Sequence, residues 1–240
     1  MAIRVQPAVS NGWLLVAALL MASPGISRSA VISGQIDNFQ DGTTQNWTNG
    51  PAANPVNVAS GGPAGAADRF LQISSGTFGG GSRLVSFNQS QWIGNYVTAG
   101  VTSIAMDLKN FTGSDESIRI ALRSGTGGST TPGYSSAAAF TLPADNAWHH
   151  AVFSLSSNSL TAINSPAALN TFLASVADFR IVEAASSASL LGDSGSFQVG
   201  VDNITAVPEP TAFLLCVSAL SALVLLVARR QLAVAKSLSC

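Results

Sequence analysis

The stretch SIRIALR, residues 117–123, decides the fold class. Its apolar residues Ile118, Ile120 and Leu122 alternate with Arg119, Ala121 and Arg123, and an alternation of period two is typical of a strand buried on one face. Comparable short runs, separated by Gly, Ser, Asn, Asp and Pro, recur at 31–39, 69–74, 82–87, 101–108, 137–142, 148–155, 177–183 and 196–207. About nine strands in one region predict an all-β domain, a β-sandwich of the jelly-roll kind.

One helix is expected within this series of strands. Ser165 is suited to the N-cap and Pro166 to the first helical position, so the pattern predicts a helix over 167–175. Gly-, Ser- and Ala-rich segments at 51–67 and 184–195 predict long loops rather than linkers between domains, because strand patterns resume after each. The sandwich is therefore expected to be one domain, residues 30–206.

The charge of residues 31–206 excludes one class of partner. This part holds six Arg and Lys residues against eleven Asp and Glu residues, a net charge of −5, and the cations form no run or stripe. Nucleic-acid binding depends on clustered cations that neutralise phosphates. We therefore expect no nucleic-acid partner.

The N-terminal residues have the pattern of a secretory signal peptide, predicted over residues 1–29. Arg4 gives a positive start, residues 13–22 form a short apolar run, and small residues at Ser27 and Ser29 fit a cleavage site. Ten apolar residues are too few to span a bilayer. The two cysteines, Cys216 and Cys240, lie beyond the sandwich, so no disulfide is expected within it.

A second apolar stretch lies near the C-terminus. Pro208-Glu209-Pro210 precedes 18 uncharged residues, 211–228, and Arg229-Arg230 follows them. A helix of that length rises about 27 Å, enough to cross the hydrocarbon core of a membrane. The arginines predict that residues 231–240 form a cytoplasmic tail and that the sandwich lies outside the cytoplasm. Geometry alone leaves two alternatives open: a permanent anchor, or a segment that is recognised and removed.

No motif of a known catalytic centre is present, and we predict no catalytic residues and no enzyme activity. A nucleophile elbow, a zinc-binding helix, a P-loop and a dinucleotide fingerprint are all missing from the sequence. The adjacent His149 and His150 would point to opposite faces of a strand and could not share a metal there. A carbohydrate-active hydrolase that uses a pair of acids is the alternative, because a sequence does not show the distance between two carboxylates.

Aromatic residues are the candidate ligand contacts. A platform on which sugar rings stack could be formed by Trp47, Trp92, Tyr96, Tyr134 and Trp148. The better candidates are Trp92 and Tyr96, which lie in a polar, Gly-containing stretch. Trp148 begins a strand and is expected in the core. The alternative for all of them is simple packing, since large aromatic side chains dominate core energetics.

A calcium ion is the candidate cofactor; no other is expected. Asp37 belongs to the first predicted strand and Asp202 to the last, and their carboxylates would meet if these strands are neighbours. Calcium prefers such oxygen ligands. The alternative is that each is an ordinary edge or turn residue.

The C-terminal stretch resembles the PEP-CTERM sorting signal, which would cover residues 207–230. The resemblance rests on Pro208-Glu209-Pro210, the apolar span 211–228 with its transmembrane helix, and the cluster Arg229-Arg230, in that order. It implies recognition by an exosortase, a membrane-embedded protease or transpeptidase. The protein would be held in the inner membrane during sorting and would then reach the cell surface or the extracellular matrix.

The sandwich more loosely resembles carbohydrate-binding and laminin-G-like jelly rolls. The residues that carry this likeness are Phe39, Asp41, Gly42 and Trp47 near the start, the run 148–153, and the run 201–204 at the end. It implies a structural calcium and a non-catalytic association with extracellular polysaccharide. A purely structural envelope protein is a further alternative.

Overall fold

The chain forms two β-sheets that face each other. A computed structural model describes residues 30–49, 54–76 and 82–209. In this part of the chain the strands are β1 (Ile36–Asp37), β2 (Val56–Val58), β3 (Phe70–Ser74), β4 (Val85–Asn88), β5 (Val101–Asn110), β6 (Glu116–Arg123), β7 (Gly133–Ser136), β8 (Phe140–Leu142), β9 (Trp148–Ser154), β10 (Leu160–Ile163), β11 (Asp178–Glu183) and β12 (Gln198–Pro208). One short helix, α1 (Leu169–Leu173), precedes β11.

The first sheet has the order β2-β3-β12-β5-β9, and β1 also pairs with β12. Here β3 pairs with residues 198–201 of β12, and β1 pairs with residues 204 and 205, so the two strands share one edge of β12. The second sheet has the order β10-β7-β6-β11-β4, with β8 beside the other half of β6. Every pairing between strands is antiparallel.

The core lies between the sheets and confirms the predicted all-β sandwich. Ile118, Ile120 and Leu122 of β6 are fully buried in it, as the alternation of residues 117–123 predicts. The prediction that only one face of this strand is buried is wrong, because Arg119, Ala121 and Arg123 on the other face are buried as well. They face buried side chains of the first sheet, such as Ile104 of β5 and Val201 of β12. Burial of branched apolar side chains from both sheets is the main stabilising contribution in such a fold.

Two local predictions need correction. The helix covers Leu169–Leu173 only, and its N-cap is Ala168, with no side-chain hydrogen bond. Ser165 cannot cap it, because this residue has a φ of 51° and belongs to the turn after β10. Strand β2 lies within the segment predicted as a loop over 51–67, where Val56 and Val58 pair with β3 at the edge of the first sheet.

The predicted signal peptide, the apolar span 211–228 and the tail 231–240 lie outside the described residues. Among the residues that the structure does describe, no helix is long and apolar enough to cross a membrane. Strand β12 extends to Pro208, so the first residue of the Pro-Glu-Pro sequence is also the last residue of the sandwich. Pro208 and Glu209 are exposed.

Candidate ligand-binding site

The three aromatic residues predicted to contact a ligand lie in the core. Trp47 is 2% exposed, and Trp92 and Tyr96 are fully buried. Both tryptophan rings pack on Phe179 of β11, with centroid distances of 5.5 and 5.2 Å. A ring that is enclosed on all sides offers no face to a sugar, so the structure places these three residues in the packing role that was the alternative.

Asp37 is the hydrogen-bond acceptor of this aromatic cluster. Its Oδ2 atom accepts from Nε1 of Trp47 and Nε1 of Trp92, both at 2.7 Å, and from Nε2 of Gln91 at 3.0 Å. Buried indole N–H groups need an acceptor, and this carboxylate supplies one for two of them. Burial raises the pKa of Asp37, and the three hydrogen bonds oppose that rise.

A different group of rings lies on the outer face of the first sheet. This group, the aromatic patch, consists of Phe70, Phe111, Trp148 and the side chain of Lys109. The Phe70 centroid is 5.3 Å from that of Trp148 and 5.9 Å from that of Phe111, and Lys109 Nζ is 5.4 Å from the centre of the Phe111 ring. Trp148, Phe111 and Lys109 are half-buried, so parts of these side chains remain accessible.

Gly200 of β12 makes room for the patch. A Cβ atom at this position would approach Trp148 to 2.9 Å, Phe111 to 3.1 Å and Phe70 to 3.3 Å. The rings therefore lie directly over the backbone of β12. Trp148 is held further by a hydrogen bond of 3.0 Å from its Nε1 to the carbonyl oxygen of Gly61. The patch is thus a fixed apolar surface with one positive charge beside it.

Sequence reasoning placed Trp148 in the core, and the structure places it on the outer face. Along β9, Ala151 and Phe153 are buried, whereas Val152 is 59% exposed. Trp148 is four residues from Val152, so both side chains lie on the same face of the strand, and Trp148 therefore points away from the core. The sequence 148–153 did contain a signal for the outer face. His150 lies on the same face of the strand as Trp148, and a polar residue there indicates a face that is open to solvent.

The other acid predicted to bind calcium, Asp202, lies at an interruption of the first sheet. Residues 198–201 of β12 pair with β3 and residues 204 and 205 pair with β1, so Asp202 faces the gap between these two neighbours. Asn203 has a φ of 51°, and the register with β5 shifts between Asp202 and Thr205. Asp202 pairs with Asp107 just before this β-bulge, in the same register as Gly200 with Lys109, so its side chain lies on the outer face of the sheet, as Gly200 does.

Asp202 is fully buried, and neither carboxylate oxygen has a hydrogen-bond partner. Its pKa is raised to about 7, chiefly by desolvation and also by the negative charges of Asp68 and Asp107, while the nearby backbone N–H of Asn203 acts in the opposite direction. An uncompensated buried carboxylate is costly and rare. It is the strongest indication of a missing positive partner in the described part of the chain.

Oxygen atoms converge close to this gap, where β1 ends and β3 begins. Nε2 of Gln40 is within hydrogen-bond distance of three of them: the Asn38 carbonyl at 3.0 Å, Asp68 Oδ1 at 2.6 Å and the Arg69 carbonyl at 3.2 Å. An amide nitrogen has two hydrogens and cannot serve three acceptors fully. Such a group of carbonyl and carboxylate oxygens has the chemistry of a calcium site.

Asp37 does not belong to this group, because its Oδ2 already accepts three hydrogen bonds. Within residues 30–49, 54–76 and 82–209, no three His, Cys, Asp or Glu side chains cluster as metal ligands. Any ion near Asp202 would thus depend on backbone carbonyls and on an amide as well as on the two carboxylates. His149 and His150 lie on opposite faces of β9, as expected, paired with Asp145 and Asp107 at 3.0 and 2.8 Å.

The outer face of the second sheet is covered by the chain itself. Arg119, Arg123 and Arg180 project from β6 and β11, and Asp178 Oδ2 lies 2.8 Å from Arg180 and 3.4 Å from Arg123. Arg119 donates to the carbonyl of Ala184, and Arg180 donates to that of Leu190, in the loop after β11. Desolvation lowers the pKa of Arg119 and of Arg123. These arginines hold loops over the sheet and leave the aromatic patch as the more open surface.

Comparisons with known proteins add a likeness of fold. No family model matches the chain, and no curated protein does. Part of an exo-β-agarase superposes with a TM-score of 0.50 at 12% identity, covering 74% of this chain and 25% of the agarase. A family 11 carbohydrate-binding module from Clostridium thermocellum superposes with a TM-score of 0.48 at 15% identity, covering 74% of this chain and 97% of the module. A xylan-binding domain from Paenibacillus barcinonensis superposes with a TM-score of 0.40 at 14% identity, covering 72% of this chain and 99% of that domain.

The chain therefore spans a quarter of the agarase and nearly all of the two smaller modules. At 12% identity, the superposition with part of the agarase shows a shared fold and nothing about activity.

Proposed function

We propose that this protein is an exported, non-catalytic β-sandwich that associates with extracellular polysaccharide through the aromatic patch. The observation that carries the proposal is the half-buried ring of Trp148, fixed beside Phe70 on the outer face of the first sheet with part of its surface accessible. Sugar rings have apolar faces that stack on aromatic side chains, and a fixed ring loses little entropy on binding. Lys109 adds a donor and a positive charge at the margin of the patch.

The fold likeness to part of an exo-β-agarase makes agarose a reasonable first probe, with xylan and mixed-linked β-glucan as further members of a panel. The test is retention of the purified protein on each polysaccharide in affinity electrophoresis. Trp148→Ala is expected to weaken retention about 10-fold or more, because burial of one large aromatic ring against an apolar sugar face contributes about 1.5–3 kcal/mol.

Val152→Ala is the matched control. Val152 lies on the same face of β9 and is 59% exposed, so its truncation should leave retention unchanged. Thermal unfolding of both variants shows whether the sandwich is intact. Equal retention of wild type and Trp148→Ala would rule out the patch, and absence of retention on every polysaccharide would favour the purely structural alternative. Release of reducing ends from a bound polysaccharide would contradict the non-catalytic assignment.

We further propose that a calcium ion is bound at the gap in the first sheet. Asp202 and Asp68 would supply carboxylate oxygens, and Asn38 and Arg69 would supply carbonyl oxygens. The Gln40 amide could turn its oxygen toward the ion. The fit rests on the buried, unpartnered carboxylate of Asp202, to which a divalent cation would bring the charge that it lacks.

Calcium is expected to raise the melting temperature of the chelator-treated protein, since a ligand of the native state stabilises it. Asp202→Asn should abolish the rise. Asp145→Asn removes an exposed carboxylate elsewhere and should keep it. A calcium-dependent rise that persists in Asp202→Asn would place the ion at another site.

Sorting by an exosortase is the third part of the proposal. Pro208 and Glu209 leave the sandwich at the exposed end of β12, where an enzyme could reach them. The apolar span 211–228 would hold the chain in the inner membrane until then, with Arg229-Arg230 on the cytoplasmic side. Intact mass of the mature protein from wild-type and exosortase-deficient cells tests this. A tail that persists beyond Pro210 in both would identify a plain membrane anchor.

A further inference from the structure

A cavity lies beside β1, and none of its lining residues belongs to the aromatic patch. It has a volume of about 590 Å³, which is within the usual range for small-molecule sites. In the described part of the chain its eight lining residues are all polar, and they come from β1, the segment 41–46 and the segment 90–91. Two of them are acids, Asp37 and Asp41, and none is a lysine, arginine or histidine.

The two carboxylates of this polar cavity are held in place. Asp37 is 5% exposed, and its three hydrogen bonds all fall on Oδ2. Asp41 lies at the solvent side, where Oδ1 accepts from the backbone N–H of Thr43 at 2.9 Å. The Thr43 hydroxyl lies 3.0 Å from each Asp41 oxygen. Both acids thus have fixed positions before any ligand arrives.

The wall of the polar cavity is fixed as well. Gln45 and Asn46 have left-handed φ values of 47° and 63°, which non-glycine residues seldom adopt without support. That support comes from side chains: Asn88 Nδ2 and Gln91 Nε2 donate to the Gln45 carbonyl at 3.0 and 2.6 Å, and Asn46 Nδ2 donates to Gln91 Oε1 at 3.2 Å. A polar cavity with a preorganised wall can bind a ligand at a small entropic cost.

The chemistry of the lining selects the class of ligand. The two acids of the lining repel anionic groups and attract a positive charge, and the nearby guanidinium of Arg69, beside Gly42, does not line the cavity. A bare metal ion fits poorly, because the cavity is far larger than an ion and one oxygen of Asp37 is already saturated with N–H donors. Hydroxyl and amide side chains of Thr44, Gln45 and Ser90 suit a polyhydroxylated molecule.

We infer that this polar cavity binds a sugar unit that carries a free, protonated amine. The amine would lie between the carboxylates of Asp37 and Asp41, and the sugar hydroxyls would contact the amide and hydroxyl groups of the wall. This inference deepens the proposed association with polysaccharide by naming one class of sugar. The polar cavity shares no residue with the aromatic patch, so an experiment can disprove binding at one site and leave the proposal for the other site standing.

The experiment is isothermal titration calorimetry on the full chain in calcium-containing buffer at pH 6. A non-glycosidic detergent is needed, because the chain contains the apolar span 211–228 and sugar headgroups would compete. The probes are the tetramer of β-1,4-linked glucosamine and its fully N-acetylated counterpart, which differ only in the charge and acetylation of the amine. The glucosamine tetramer is expected to bind, and the acetylated tetramer to bind at least about 10-fold more weakly.

Asp41→Asn is the diagnostic variant, since asparagine can still accept the Thr43 N–H and only the charge is lost. Affinity for the glucosamine tetramer should fall about 3- to 10-fold. Asp145→Asn is the matched control, because Asp145 forms the same kind of turn by accepting the N–H of Ala147; it should bind like wild type. Trp148→Ala should retain glucosamine binding even if it loses retention on polysaccharide.

Three outcomes would overturn the inference: equal affinity for the two tetramers, no binding of either, or unchanged affinity in Asp41→Asn. Thermal unfolding of Asp41→Asn with calcium present confirms that the variant is folded. If wild type binds the glucosamine tetramer and fails on every neutral polysaccharide, the inference stands and the aromatic patch is excluded as a binding site.

Discussion

Asp202 is a carboxyl group whose folded-state pKa, about 7, lies above the ordinary value of 3.8 because the group is desolvated. Between these pH values it is protonated when folded and ionised when unfolded, so unfolding releases a proton. The calcium-free protein should therefore lose stability as the pH rises from about 4 to about 7, by on the order of 4 kcal/mol. Urea unfolding at a series of pH values in the presence of chelator measures the slope.

Other buried acids, such as Glu183, contribute in the same direction, so the informative quantity is the difference between wild type and Asp202→Asn. The variant should have a shallower pH dependence and should be the more stable protein at pH 7 without calcium. An identical slope in the two proteins would show that Asp202 is ionised and compensated in the folded state.

Asp37 illustrates a second residue-scale effect. Asp37→Ala would leave the N–H groups of Trp47 and Trp92 buried without their acceptor. We expect it to lower the free energy of unfolding by about 2–5 kcal/mol, since each unsatisfied buried group costs about 1–3 kcal/mol. Asp37→Asn keeps an acceptor oxygen and should cost less. Chemical denaturation compares the two, and equal losses would mean that the charge, not the acceptor, stabilises the cluster.

At the scale of the element, strand β12 is shaped by the rings that lie on it. Gly200→Ala would place a Cβ atom 2.9 Å from Trp148, so the ring must move. We expect weaker polysaccharide retention together with a loss of about 1–3 kcal/mol in stability, the usual cost of overpacking. Gly113→Ala is the control, because a Cβ there meets nothing within 4 Å. Unchanged retention in Gly200→Ala would show that polysaccharide binding does not depend on the position of these rings.

Strands were easier to predict than the faces they present. The period-two patterns located most of them, because the residues that face the core alternate along a strand, as Ile118, Ile120 and Leu122 do in β6. Strands β2, β7 and β10 were missed because segments of three or four residues carry too little pattern. The aromatic roles were exchanged: Trp92 lies in a polar stretch yet is buried, and its partner Asp37 is 55 residues away in the chain. A local pattern cannot show such a contact.

At the scale of the molecule, the last strand is central to the first sheet. Strand β12 pairs with β3 and β5, and β1 adds to it. A chain that ends after Phe197 lacks this strand and should not fold, whereas one that ends after Glu209 should keep the complete sandwich. Resistance to protease and far-UV circular dichroism distinguish the two. A protease-resistant sandwich in the shorter chain would contradict the central role of β12.

The pairing of β12 also has a mechanical consequence. Any pull on the chain beyond Pro208 runs along a strand that is bonded to β5 over much of its length and to β3 and β1 on its other side. Hydrogen bonds in antiparallel pairs lie across the strand direction, so this load is applied in shear to many of them together. If the chain beyond Pro208 were held at one end and a ligand held the sandwich at the other, the tension between them would act on β12, and the hydrogen bonds of β12 would resist it together.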